Sequence, residues 1–183
     1  MQRIRKLRAR PLVAVLALAT GAAVAVGRLS MRKRGGERRS GMTDANKAIA
    51  RRSVEEIFNE GRLEVADELY APDFVGYDPA LPDPMKGPEG IKQQAEGYRA
   101  AFSDMKLTIE DEIAEGERVV TRWTARGTHD GELFGIPATG KQTTVTGMTI
   151  DRVVDGRIVE TWNSWDTFGL LQQLGAIPAL AQS

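Results

Sequence analysis

Residues 146–175 read TGMTIDRVVDGRIVETWNSWDTFGLLQQLG, and this stretch spells a strand, a tight turn, a second strand and a short helix. Asp155-Gly156 separates two β-branched runs, 150–154 and 158–161. Asp-Gly tolerates the positive φ angles of a type I′ turn, so the pattern predicts a hairpin. Asn163-Ser164-Trp165-Asp166 follows, then a helical run. Asp166 stands at the expected N-cap. Leu170, Leu171 and Leu174 form an apolar stripe, and Gly175 is the expected stop, with Pro178 beyond. Polar and aromatic side chains therefore gather where a strand meets a helix, an arrangement suited to the floor of a pocket.

Upstream, the alternation continues. A strand over 142–154 is preceded by the loop DGELFGIPATG at 130–140 and by a long strand over 118–129. One face of that strand carries Val119, Thr121, Trp123, Ala125, Gly127 and His129, and the more polar face carries Val120, Arg122, Thr124, Arg126 and Thr128. Period-two geometry turns the first face toward the core. Before Lys106 the spacing becomes helical. Asp44 is placed to cap a helix running to about residue 59, with Ala50, Val54, Ile57 and Phe58 on one face and Gly61 as its stop. A second, short helix spans 63–70, Ala71-Pro72-Asp73 is read as a turn, and 74–77 as a short strand. A proline-rich loop follows, and Pro88 opens a third helix with Ile91, Ala95, Tyr98 and Phe102 on its inner face. The expected class is α+β: three N-terminal helices packed on a curved antiparallel sheet, a short C-terminal helix, and a cavity between the layers.

Charge divides the chain. Residues 1–41 hold 11 of its 25 basic residues and one of its 25 acidic ones, so the first segment carries +10 and the rest −10. That step marks an expected boundary between 1–41 and a domain over 42–183, and an acidic body argues against nucleic acid as a partner. The uncharged run 11–27 sits between basic flanks. It reads as a short membrane anchor, as a signal peptide with Ala23-Val24-Ala25 at the cleavage site, or as sequence upstream of the true start. On the last reading, Arg38 to Met42 encode a ribosome-binding site and an initiator Met42. The domain itself is then expected in the cytoplasm; the other two readings anchor or export it. With no Cys and a single His, the chain lacks a disulfide framework, a thiolate nucleophile and a multi-histidine metal site.

The order strand, Val-Asp-Gly-Arg-Ile-Val-Glu, Trp-x-x-Trp-Asp, Gly-Leu-Leu-Gln-Gln-Leu-Gly resembles the SnoaL-like polyketide (ester) cyclases, within the broader group of NTF2-like and ketosteroid-isomerase-like cones. The resemblance reaches upstream to about Met42. It implies a conical α+β barrel with a ligand pocket, a small, largely apolar, oxygenated ligand, a homodimer, and ring closure by an aldol step without metal or cofactor. It also places the family's catalytic aspartate on Asn163 and its associated histidine on Thr149. Neither side chain is ionisable, so a binding module without turnover stands as the alternative to a cyclase or isomerase.

Proton transfer needs another group. Asp166 lies one helical turn from Asn163, but its two readings compete, because a carboxylate that spends its lone pairs on helix amides is a poor proton acceptor. Histidine is the side chain that exchanges protons nearest neutral pH, and His129 ends the strand over 118–129. Trp123, Thr149, Trp165 and Tyr77 are the expected ligand contacts, with Tyr77 and Asp78 at the rim. Arg122, Asp151 and Asp166 supply the residue types of an epoxide-hydrolase site, although nothing in their spacing requires them to meet.

Overall fold

A computed structural model describes residues 41–177; the anchor, signal and start-site readings of the N-terminal segment lie outside them. Helix α1 covers 41–52 and continues as a π-helical stretch, Ser53–Asn59. Gly61, at φ 74°, ends it. Because residue 41 is already helical, Asp44 lies inside α1 and is not its cap. A 3-10 turn, Leu63–Val65, leads into α2, Ala66–Leu69. Strand β1, Tyr70–Tyr77, and the short β2, Met85–Lys86, precede α3, Gly87–Ala101. Then come β3, Lys106–Glu115, β4, Arg118–Thr128, β5, Gln142–Val154, β6, Arg157–Trp165, and α4, Thr167–Leu174.

The six strands form one curved sheet in the order β2-β1-β6-β5-β4-β3, so the class is α+β as expected. One pairing departs from the all-antiparallel expectation: β1 runs parallel to β6, with Gly76 opposite Thr161 and Tyr77 opposite Trp162. Residues 71–73, read from sequence as a turn, instead belong to β1, where the register shifts between Tyr70 and Val75. Pro72 lacks the N–H that a regular ladder uses, and an irregularity is where a strand accommodates that loss.

The hairpin forms as its residues dictate, with Asp155 at φ 49° and Gly156 at φ 78°. Two apolar clusters hold the layers together. One joins Ile57, Leu69, Tyr70, Phe74, Ile91, Val119, Val153 and Ile158. The other joins Phe102, Leu133, Val145, Leu170 and Leu174, with Trp123 and Trp165 against it. Polar docking fixes α1 between its neighbours. Asn59 exchanges two hydrogen bonds with the Leu107 backbone on the edge strand β3, at 3.0 and 2.7 Å. Arg99 of α3 donates to the Phe58 and Asn59 carbonyls, both at 3.0 Å, satisfying groups that a helix end leaves open.

Candidate functional site

Between the helices and the inner face of the sheet lies a cavity lined from β4, β5 and β6 and from α1, α3 and α4. Strand register arranges its floor in rows. Trp123, Gly147 and Trp165 form one row, Thr121, Thr149 and Asn163 the next, and Val119, Asp151 and Thr161 the third. Gly147 is required where it stands: a Cβ there would come 2.4 Å from Trp123 Cζ2 and 2.7 Å from Trp165 Cβ. Absence of a side chain lets the two indoles close over the strand.

A directed chain of hydrogen bonds runs from Trp123 of the first row into Thr149 and Asn163 of the middle one. Trp123 Nε1 donates to Thr149 Oγ1 at 3.0 Å, and Thr149 Oγ1 donates to Asn163 Oδ1 at 2.7 Å. That second bond sets the amide orientation, so Asn163 Nδ2 points to Asp78 Oδ2, 3.4 Å away. Asp78 is 8% exposed and lines the cavity. Gln94 Nε2 donates to its Oδ2 at 2.9 Å, Trp165 Nε1 reaches both oxygens at 3.2 and 3.3 Å, and the Ala80 N–H donates to Oδ1 at 2.9 Å. The result is a buried carboxylate ringed by N–H donors, beside an oriented amide and two indoles.

A second carboxylate lines the same cavity one row away. Asp151 is 5% exposed and accepts from Thr161 Oγ1 at 2.6 Å. Burial pushes its carboxyl up to about 6, and the negative charge of Glu112 adds to the rise. Tyr70, hydrogen-bonded to Ser53 Oγ at 2.7 Å, is raised above the usual phenol range by burial and then by the Asp151 charge.

The structure thus brings Trp123, Thr149, Asn163 and Trp165 together, and it places three other candidates from the sequence elsewhere. His129 is fully buried but does not line the cavity. Its Nδ1 contacts Thr139 Oγ1 at 3.1 Å and the Thr139 N–H at 3.3 Å, and its backbone carbonyl accepts from Thr139 and Gly140. It anchors the loop after β4 against Phe102, ring centroids 5.3 Å apart. Asp166 is the N-cap of α4, accepting from the Gly169 N–H at 2.7 Å. Tyr77 points to the outer face, 41% exposed, and stacks on Trp162 at 5.9 Å; strand parity turns it away from the cavity that Asp78 enters. The epoxide-hydrolase set does not converge either: Arg122 pairs with Asp111 at 2.7 Å on the surface and Asp166 caps its helix.

Asp78 and Asp151 are the two groups that sequence reasoning underuses. Sequence alone puts Asp78 at a rim, and only the parallel β1–β6 pairing carries residue 78 to Asn163. Asp151 has a legible signal, since period two puts it on the face of Thr149. Among the described residues, no group of three or more His, Cys, Asp or Glu side chains is close enough to hold a metal ion.

Residues 48–174 match the family model for SnoaL-like polyketide cyclase. The chain belongs to the SnoaL-like polyketide cyclase family. It is 32% identical over 119 residues to nogalonic acid methyl ester cyclase of Streptomyces nogalater, covering 64% of this chain and 89% of that one. Among solved structures, IdmH of Streptomyces antibioticus superposes with a TM-score of 0.61 at 38% identity, over 71% of this chain and 98% of that one. An NTF2-like protein of Burkholderia pseudomallei, at 21% identity, superposes with a TM-score of 0.59 over 71% of this chain and 97% of that one, a likeness of fold alone. This SnoaL-like chain therefore has the NTF2-like cone that its closing hairpin and helix resemble.

Proposed function

We propose that this SnoaL-like protein closes a ring in a small, largely apolar, oxygenated polyketide ester, with Asp78 as the general base. The observation that carries this reading is the buried Asp78 carboxylate beside the oriented amide of Asn163. A carboxylate held next to N–H donors has both parts of an enolisation site. Ligand binding draws the Asn163 and Trp165 N–H groups from Asp78 to the carbonyl oxygen that gains charge, which frees lone pairs on Asp78. Asp78 then removes a proton from the carbon beside that carbonyl. The enolate carbon then attacks a second carbonyl of the same molecule. The new alkoxide takes the proton back from Asp78, so nothing is oxidised and no group leaves. The nogalonic ester acted on by the relative in Streptomyces nogalater indicates a methyl ester as the first substrate to test.

Asn163 supports a second reading, a binding module without turnover, because the resemblance places the family's catalytic aspartate at that position. Single-turnover assays on such a methyl ester separate the two. Asp78→Asn should lower the rate about 10² to 10⁴-fold while the protein stays folded. Asn163→Asp should give a binding module the missing base and raise its turnover. An unmodified protein that binds the ester without converting it, joined to a variant that converts it, establishes the binding module. An unchanged rate in Asp78→Asn removes Asp78 from the mechanism.

The partner of the outer face is proposed as a second copy of the chain. Register aligns Ile113, Val120, Ile150, Trp162 and Tyr77 in one row across four paired strands and onto β1. Ile113, Ile150, Trp162 and Tyr77 are among the exposed large apolar residues. A continuous apolar stripe on a sheet face is the kind of surface that association covers.

A further inference from the structure

We infer that Asp151 and Thr121 form a second polar subsite in the cavity, one that binds a hydroxyl group of the ligand away from the reacting carbonyl. The inference rests on the ligand site proposed above and adds to it the chemical class of group that the ligand carries one row further along the floor. Three observations support it. Thr121 is 2% exposed, lines the cavity, and its Oγ1 has no hydrogen-bond partner among the described residues. A buried hydroxyl left unpaired costs free energy that a bound polar atom recovers. Asp151 lines the same cavity and spends Oδ1 on Thr161. The two residues are diagonal cross-strand neighbours, since Thr121 opposes Thr149 and Val119 opposes Asp151. Diagonal pairs lie about 7–8 Å apart, which leaves room for one oxygen atom between their polar ends.

The chemistry of the pair selects the occupant. A hydroxyl can accept from Thr121 Oγ1–H and at the same time donate to the Asp151 carboxylate. A keto oxygen only accepts, so it satisfies Thr121 but gives no donor to Asp151 Oδ2, the oxygen that Thr161 leaves open. A carboxylate faces like charge from Asp151; Glu112, opposite Thr121 on β3, is ion-paired with Arg51 and adds a smaller repulsion, as it does to the Asp151 shift. The subsite is therefore built for a neutral phenol, enol or alcohol on an apolar frame.

The test uses non-reactive probes of one shape, so that it is independent of turnover: 2-naphthol, 2-fluoronaphthalene and 2-naphthoate, titrated by calorimetry at neutral pH. The wild-type protein should bind 2-naphthol about tenfold more tightly than the fluoro probe, the effect of one or two net hydrogen bonds, and should bind naphthoate weakest. Thr121→Val and Asp151→Leu should each reduce that preference to within about twofold. Asp151→Asn, whose amide still accepts and donates, should keep most of it and covers the case in which Asp151→Leu fails to fold. A wild-type protein that binds naphthol and the fluoro probe alike, or binds neither, overturns the inference. So does a preference that survives in Thr121→Val and Asp151→Leu but disappears in Asp78→Asn, which assigns the hydroxyl to the other carboxylate. Loss of the cyclase reading alone would show as absent turnover with the naphthol preference intact.

Discussion

At the scale of single residues, Gly147 and Asp151 carry the sharpest consequences. Gly147 lies beneath both cavity indoles, and a methyl there meets Trp123 Cζ2 at 2.4 Å. Gly147→Ala must displace the Trp123 ring and with it the bond to Thr149. A destabilisation of about 1–3 kcal/mol is expected from overpacking, read as a lower urea midpoint with an unchanged slope. Asp151 acts through pH. Its folded carboxyl is raised to about 6, above the ordinary value near 3.9, so the folded state holds the proton more tightly than the unfolded chain. The contribution of Asp151 to stability is greatest below about pH 4 and falls as pH rises to about 6, a cost on the order of 2–3 kcal/mol that persists above it. Asp151→Asn removes the buried charge and keeps the acceptor for Thr161. Thermal melts from pH 4 to 8 should show the variant gaining on the wild type through that window; a constant offset would mean that Asp151 does not titrate there.

At the scale of elements, α4 depends on the residue that caps it. Asp166 accepts from the Gly169 N–H, and the helix then delivers Leu170 and Leu174 onto Val145 and Phe102. Gly175, at φ 83°, closes it, with the Ala176 N–H returning to the Leu171 carbonyl. Asp166→Ala should cost about 1 kcal/mol and speed amide exchange in α4 more than in β5. Turnover on a methyl ester should survive, since Asp166 sits outside the cavity. A loss as large as that expected for Asp78→Asn would instead return Asp166 to the reaction. β1 is the other decisive element. Its parallel pairing with β6 is what connects a loop residue near position 78 to a strand residue near position 163, and its end carries both the inward Asp78 and the outward Tyr77.

At the scale of the whole molecule, the two faces of one sheet have different uses. The inner face holds the cavity, and the outer face exposes Ile113, Met148, Ile150 and Trp162. Covering that stripe with a second copy should give a dimer in light scattering at micromolar concentration. Trp162→Glu places a charge within the stripe and should shift the protein to monomer while the far-UV spectrum stays the same. A monomeric wild type would show that the face is free in solution. Among the described residues no helix is long and apolar enough to cross a membrane.

The sequence by itself determined what local chemistry controls: the Asp155-Gly156 hairpin, the Asp166 cap and Gly175 stop of α4, the alternating faces of β4 and β5, and the SnoaL-like signature that these carry. The placement of Trp123, Thr149, Asn163 and Trp165 on one floor followed from parity and the resemblance. Tertiary structure decided which carboxylates meet them. Parity gives a face but not a neighbour, so His129 could share the face of Trp123 and still fall past the end of β4, turned to Thr139. Nor does periodicity distinguish a parallel partner from an antiparallel one. The pairing of β1 with β6 joins residues 85 positions apart, and that meeting is set by the packing of β1 against α3 and β6, not by any spacing in the chain.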